Sequence, residues 1–221
     1  MRKIKGAVGS LICTTLLVLG SVTQAQVIDI GTVLNGSNPG SSPPWLTATF
    51  TTLFPGTVTL TLASHLTVAS EFIGELGLNL KPGISPASLL FSQTPDLSNP
   101  AFSSVTQPAA QDTLALSGGG SKGVGFDLLI DWPAGLKPVR FDANDVVTLT
   151  ITGPTTLVAE DFLYYNTVGG QPGSVLIAAH IQGIAAPGGG TTSASIMQTI
   201  PEPTTATLLL GGLALLALMR R

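Results

Sequence analysis

The sequence contains one cysteine, two histidines and few charged residues, and these scarcities exclude several kinds of site. Cys13 lies inside an apolar N-terminal stretch and lacks the small preceding residues of a lipoprotein acylation site. Removal of that stretch as a leader leaves a chain without a disulfide or a cysteine nucleophile. His65 and His180 are too few for an all-histidine zinc site.

Basic residues are scarce in the central part of the chain. Residues 26–200 contain four basic and eleven acidic residues, a net charge of −7, although the whole chain carries −3. An acidic surface without basic patches repels phosphate backbones. The composition therefore argues against nucleic acid as a partner and fits a secreted module.

The N-terminus has the pattern of a secretory signal peptide. Arg2, Lys3 and Lys5 precede an uncharged, mostly apolar stretch over residues 8–22. Thr23-Gln24-Ala25 then offers small residues at the two positions that a signal peptidase reads. We predict a signal peptide over residues 1–25, cleaved after Ala25; an uncleaved anchor is the alternative.

The C-terminus combines a Pro-Glu-Pro triplet, a short apolar run and a basic end. Pro201-Glu202-Pro203 precedes residues 206–219, which are apolar except Thr207, and Arg220-Arg221 follows. As a helix the run would extend about 21 Å, whereas the hydrocarbon core of a bilayer is roughly 30 Å thick. The run is thus marginal as a permanent anchor, and the arginines would remain on the cytoplasmic side.

This C-terminal order resembles the PEP-CTERM sorting signal of Gram-negative bacteria. Pro201, Glu202 and Pro203 match its triplet, and Arg220 and Arg221 match its basic end. The resemblance implies that exosortase, a membrane protease, recognises and removes this signal, so that contact with the inner membrane is transient. It also implies delivery to the cell envelope or to secreted polysaccharide. An ordinary C-terminal membrane anchor is the alternative.

The body of the chain predicts an all-β fold. Residues 57–62 alternate strictly, which places Val58, Leu60 and Leu62 on a buried face and three threonines outward. Further strands are predicted over residues 45–53, 74–80, 113–116, 126–132, 147–151 and 175–182, separated by Gly/Pro turns. In residues 126–132, alternation places Phe126, Leu128, Ile130 and Trp132 on one face. We therefore predict a two-sheet antiparallel β-sandwich that is jelly-roll-like.

Four regions follow from these patterns. They are the signal peptide, residues 1–25; one β-sandwich ectodomain, residues 26–185; a flexible stalk rich in Gly, Pro, Ser and Thr, residues 186–199; and the sorting signal with its short transmembrane helix, residues 200–221. Within the ectodomain only residues 157–163 suggest a short helix, with Thr156 as a candidate cap.

The ectodomain also resembles a recurrent PEP-CTERM ectodomain of unknown function. The similar stretches are residues 75–80, 126–133 and 178–183, and the resemblance covers most of residues 50–185. It implies no catalytic residue.

Acidic residues form three candidate sites in the ectodomain. Asp127 and Asp131 lie four apart on a predicted strand, hence roughly 13 Å apart, too far for glycosidase carboxylates at roughly 5 to 9.5 Å; solvated outer-face charges are the preferred interpretation. Residues 141–145 carry oxygen ligands for calcium but miss the spacing of a calcium loop, so an Asx turn is preferred. Glu160-Asp161 could add a metal ligand, but helix-terminal charge explains it more simply.

The remaining candidates are a histidine, a glycine-rich loop and four aromatic residues. His180 is interpreted as a satisfied core or edge histidine, and no Gly-x-Ser-x-Gly elbow supports a serine triad. Residues 117–123 resemble a phosphate loop only superficially and suit a hairpin connection. Trp132 is expected in the core, whereas Trp45, Tyr164 and Tyr165 could stack on sugars if they are exposed.

These observations predict an exported structural or adhesive protein of the cell envelope or extracellular matrix, linked to exopolysaccharide, with no enzymatic activity, cofactor or metal. A carbohydrate-binding module would require Trp45, Tyr164 or Tyr165 on an exposed platform. A secreted hydrolase would require a cleft with converging carboxylates or a histidine.

Overall fold

The computed structural model describes residues 25–93, 100–117, 124–135, 139–166 and 175–198. Within these ranges the chain is all-β, and its strands are β1 (Gln26–Ile30), β2 (Thr32–Gly36), β3 (Leu46–Phe54), β4 (Thr57–Ser64), β5 (Phe72–Leu78), β6 (Leu90–Gln93), β7 (Ser104–Thr106), β8 (Leu128–Asp131), β9 (Val146–Thr152), β10 (Ile177–Ala185) and β11 (Thr191–Gln198). One-turn 3-10 helices cover Pro86–Ser88 and Ala159–Phe162.

The strands form two antiparallel sheets. The five-stranded sheet has the order β1-β3-β4-β9-β6, and the six-stranded sheet has the order β2-β11-β10-β5-β8-β7. The all-β fold with two antiparallel sheets is therefore confirmed. The β3–β4 pair is a hairpin of the five-stranded sheet, and the β10–β11 pair is a hairpin of the six-stranded sheet. A jelly roll is built from two Greek keys, and the jelly-roll topology stays a prediction.

Facing side chains of the two sheets share one core. Phe50 of β3 stacks on Phe162 with ring centroids 4.9 Å apart, and Trp132 contacts Phe141 at 5.1 Å. The predicted alternation of β4 is confirmed for Val58, Leu60 and Leu62, which are fully buried, while Thr59 and Thr61 face outward. Thr57, also predicted to face outward, is buried.

The predicted face of Phe126 is wrong. Phe126 packs in a smaller cluster with Leu129 on the outer side of the six-stranded sheet, whereas Leu128 and Ile130 point into the main core. Alternation fails because β8 begins only at Leu128. Gly77 leaves room for the ring, since a Cβ there would lie 2.7 Å from Cγ of Phe126.

The flexible stalk predicted over residues 186–199 is wrong for Thr191–Gln198. This segment is β11, which pairs with β10 on one side and β2 on the other. Ala194 and Ile196 are buried in the core, and a turn with left-handed Gly188, Gly189 and Gly190 leads into the strand. The ectodomain therefore extends to residue 198, because β11 joins β2 to β10 and its alternate side chains Ala194 and Ile196 pack in the core.

The helical expectation near residue 160 holds only for one short turn. The 3-10 helix Ala159–Phe162 follows Val158, not Thr156, and the Oδ2 atom of Asp161 accepts from the Val158 amide at 3.0 Å. The signal peptide through residue 24 and the C-terminal helix lie outside the described residues. Among the described residues no helix is long and apolar enough to cross a membrane.

Candidate functional site

The two predicted processing sites flank the first and last strands. Ala25 is exposed and immediately precedes β1. The sorting residues Pro201, Glu202, Pro203, Arg220 and Arg221 lie outside the described residues, beginning three positions after the end of β11. The strand β11 therefore ends at Gln198, three residues before the predicted triplet.

Residues from both ends of the ectodomain line one open pocket of about 330 Å³. Its lining includes Gln26 and Asp29 of β1 together with Gln198 of β11. The side-chain amide of Gln26 also donates to the Glu160 carboxylate at 3.1 Å. Gln26 and Gln198, at the two ends of the ectodomain, consequently lie near each other.

A polar row that contains three titratable side chains crosses the six-stranded sheet. Its six members lie directly opposite one another on successive strands, on the face away from the core: Asn35, Ser195, His180, Glu75, Asp131 and Ser104. Directly opposite residues have Cβ atoms about 4.5–5.5 Å apart. The register therefore brings a histidine and two carboxylates side by side.

Burial dominates the electrostatics of the polar row. It raises the pKa of the Asp131 carboxyl, and the neighbouring Glu75 charge raises it further, although a hydrogen bond from Ser104 opposes both effects. Burial lowers the pKa of His180, which the Glu75 carboxylate partly offsets. The Glu75 carboxylate itself accepts from the Ser117 amide at 2.6 Å and from the Ser117 hydroxyl.

The row contains the residue types of a serine triad without its geometry. Ser195 Oγ and His180 Nδ1 are both buried, and neither has a hydrogen-bond partner among the described residues. Nucleophilic catalysis requires a serine–histidine hydrogen bond and access to substrate, whereas Ser195 is 1% exposed. His180 is thus a buried histidine, as predicted, but it lies in an interior strand and its Nδ1 atom is not satisfied.

Asp127 does not carry the solvated outer-face charge that we predicted. It is 2% exposed, and its carboxylate accepts from the amides of Leu80 at 2.7 Å and Asp112 at 2.5 Å. Burial raises its pKa, while these two hydrogen bonds act in the opposite direction. Asp127 therefore joins two distant segments of backbone and has a structural role.

The acidic loop before β9 is a turn, as predicted, with different contacts. Asp145 Oδ2 accepts from the Asp142 amide at 2.8 Å, and the Asp145 amide donates to the Asp142 carbonyl at 3.3 Å. Asp142 is fully buried and pairs with Arg140, whose Nε lies 2.9 Å from its Oδ2 atom. Within the described ranges no group of three or more His, Cys, Asp or Glu side chains is arranged to hold a metal ion.

The other acidic and basic candidates make local contacts. Asp161 lies 3.5 Å from Lys81 Nζ, so the Glu160-Asp161 pair contacts Gln26 on one side and Lys81 on the other. His65 Nε2 lies 2.9 Å from Thr47 Oγ1. Of the predicted glycine-rich loop only Ser117 is described, and it binds Glu75.

The aromatic residues that the sequence singled out are buried or half-buried, whereas Phe54, which it did not single out, is exposed. Trp45 is buried and donates from Nε1 to the Ser41 carbonyl at 2.7 Å, so it does not meet the condition of exposure that stacking on a sugar requires. Trp132 lies in the core, as predicted, and Tyr164 and Tyr165 are only half-buried. Phe54 is 60% exposed; its position at a strand end beside Pro55-Gly56 was the only sequence signal.

No family model matches the sequence, and no curated protein or solved structure shows significant similarity to it.

Proposed function

We propose that this protein is an exported component of the cell envelope or extracellular matrix that exosortase sorts and processes. Support comes from the predicted cleavage site at Ala25 and from Pro201-Glu202-Pro203 followed by the basic pair Arg220-Arg221. In this proposal residues 200–221 contact the inner membrane only until they are removed.

The arrangement of the two chain ends is the structural observation that best supports this proposal. β1 begins one residue after Ala25, β11 ends three residues before Pro201, and Gln26 and Gln198 line one pocket. Because Gln26 and Gln198 lie near each other, the rest of the sandwich can point away from the membrane during processing. Since β11 is held in the sheet, few residues separate the folded domain from the membrane surface.

A structural or adhesive role linked to exopolysaccharide accounts for the ectodomain better than catalysis. In the polar row, Ser195 and His180 are buried and do not bind each other. The carboxylates of Glu75 and Asp131 accept hydrogen bonds from Ser117 and Ser104. The net charge of −7 on residues 26–200 suits a soluble exported module and disfavours nucleic acid. The hydrolase alternative receives no support from this geometry.

Substitution within the triplet tests the proposal in the producing bacterium. We expect wild-type protein and the Thr204→Ala variant in the outer envelope or medium, because Thr204 lies outside the triplet. We expect the Glu202→Ala variant to remain in the inner-membrane fraction. Release of the Glu202→Ala variant at the wild-type level would contradict the proposal.

A further inference from the structure

The outer side of the five-stranded sheet carries a regular array of threonines. The threonine face consists of two rows that cross β3, β4 and β9, namely Thr49, Thr61 and Thr148 in one row and Thr51, Thr59 and Thr150 in the other. Neighbouring strands are about 4.8 Å apart, and the rows, two residues apart, are separated by roughly 6.7 Å. The hydroxyls therefore repeat in two directions.

All six threonines are accessible, since five are partly exposed and Thr148 is exposed. The Thr61 and Thr148 hydroxyls lie 3.2 Å apart, and the Thr59 hydroxyl donates to the Thr51 carbonyl at 3.4 Å. Each hydroxyl has one donor and two acceptor sites, so these contacts leave acceptors available. The face presents methyl groups and hydroxyls together.

In the part of the chain that the structure describes, the threonine face carries no charged side chain, although the domain is acidic. The adjoining outward positions on its strands and on β6 hold Ala63, Val146, Thr152 and Ser92. The first charged residue is Asp29 on edge strand β1, opposite Thr47. β-propensity alone accounts for threonine at such positions, but the outer side of the other sheet carries Glu75 and Asp131 at comparable positions. Among the described residues, the outer positions of β3, β4, β9 and β6 are thus uncharged, unlike those of β5 and β8.

Large exposed apolar side chains border this neutral surface. Phe54 and Leu90 are 60% and 71% exposed and belong to the next row, Phe54, Thr57, Thr152 and Leu90. At the opposite corner Val27, in the row of Thr49, is 63% exposed. Phe54 and Leu90 therefore stand at the two ends of one row and Val27 at another corner, so that single apolar side chains border the uncharged array.

The charge and the hydrogen-bonding groups of the threonine face decide between three classes of partner: a second copy of the chain, a polyanion and an uncharged polysaccharide. A second copy packed on it would desolvate six hydroxyls, at a cost unless each finds a partner, and two such acidic domains would repel each other. A polyanion would be repelled by the net charge of −7 that residues 26–200 carry. An uncharged polysaccharide supplies hydroxyls for the threonines and C–H surfaces for Phe54, because aromatic rings combine apolar area with little flexibility.

We propose that the threonine face, with Phe54 and Leu90 at its edge, binds an uncharged polysaccharide chain. This inference deepens the proposed function, because it names the surface and partner class of the adhesive role. The ligand lies across the strands with its hydroxyl groups bonded to the threonine rows, directly or through water. Binding is weak for one chain segment and is strengthened by repeated contacts along a polymer.

Affinity electrophoresis of the exported protein, purified from the producing cells, tests the inference. Native gels containing hydroxyethylcellulose, laminarin or galactomannan should retard the wild-type protein in at least one case, and gels containing alginate should not. The Thr61→Lys/Thr150→Lys variant should lose at least fivefold of the retardation, and the Phe54→Ala variant should lose at least twofold. Thr32→Lys, an exposed threonine on β2 of the other sheet, is the matched control and should behave as wild type.

The outcomes separate this inference from the proposed function. Retardation by none of the three neutral polymers, or equal retardation of the Thr61→Lys/Thr150→Lys and Thr32→Lys variants, overturns the inference. Self-association that the face variants abolish, without any retardation by glycan, also overturns it and assigns the face to a second copy. Unchanged thermal unfolding of each variant shows that a lost retardation is not lost folding. The intact mass of the same preparations reports processing independently of glycan binding.

Discussion

His180 on β10 lies directly opposite Glu75 on β5 in the six-stranded sheet, and the Glu75 charge is coupled to the histidine. Burial nevertheless dominates and lowers the pKa of His180 below its ordinary value of 6.5. The folded protein therefore holds this histidine neutral at pH values where the unfolded chain already binds a proton.

The first prediction concerns stability between neutral and mildly acidic pH. Because the unfolded state binds more protons in this window, the His180 contribution is fully present above pH 6.5 and is lost as pH falls through the lowered pKa. Urea unfolding at a series of pH values should show this loss in wild type and a flatter profile in His180→Gln. A His180→Gln profile as steep as wild type would refute this assignment.

The second prediction concerns the buried carboxylate of Asp127. Replacement by alanine leaves the amides of Leu80 and Asp112 without their acceptor, and each unsatisfied buried group costs about 1–3 kcal/mol. Relief of the desolvated charge offsets part of this cost, so we expect Asp127→Ala to lower the free energy of unfolding by about 3 kcal/mol. Asp131→Ala, which removes a bond from the exposed Ser104 hydroxyl, should cost less than about 1 kcal/mol. Equal losses in the two variants would show that Asp127 is not a buried link.

The third prediction concerns two glycines with left-handed backbone. Gly183 has a φ of +77°, and a Cβ there would lie 1.9 Å from the Ser70 carbonyl oxygen. Gly188 has a φ of +92° and no heavy atom within 4 Å of its Cβ position. Gly188→Ala should cost about 1 kcal/mol from backbone strain alone, whereas Gly183→Ala should cost about 3 kcal/mol because the clash adds to the strain. Similar melting temperatures for the two variants would contradict the close approach of residues 70 and 183.

The fourth prediction concerns the C-terminal boundary of the ectodomain. A chain that ends after Ala185 loses β11, so β10 becomes an edge strand, β2 loses its pairing with β11 and the core loses Ala194 and Ile196. A chain that ends after Gln198 keeps every described strand. We expect the shorter chain to be insoluble or rapidly digested by protease and the longer one to unfold cooperatively. Equal protease resistance would restore the interpretation of residues 186–199 as a stalk.

Local pattern predicted the strands whose residues alternate strictly. β4 and β9 combine buried aliphatic residues with outward threonines, so period alone identified both strands and their buried faces. β11 was missed because Thr191-Thr192-Ser193 follows a run of glycines and resembles a linker, and only its partners β10 and β2 make it a strand. Alternation misplaced Phe126 because it was extended beyond the start of β8.

The candidate site depends on contacts that sequence spacing does not reveal. The Asp127 carboxylate bonds Leu80, 47 positions away, so its burial depends on tertiary structure. The polar row takes one residue from each of six strands, and the threonine face depends on the register of β3 with β4 and of β4 with β9. A shift of one residue in any pairing would turn these side chains to the other face. The predicted sorting residues, in contrast, form two short runs, Pro201-Glu202-Pro203 and Arg220-Arg221, so this prediction needed no knowledge of the fold.

The intact mass of the protein from producing cells, with the exosortase gene present and then deleted, tests the central claim most directly. With the enzyme present, we predict a released product that begins at Gln26 and lacks Arg220-Arg221. Without it, we predict a membrane-bound product that begins at Gln26 and keeps both arginines. Retention of Arg220-Arg221 in both strains would contradict the account and identify a plain membrane-anchored β-sandwich.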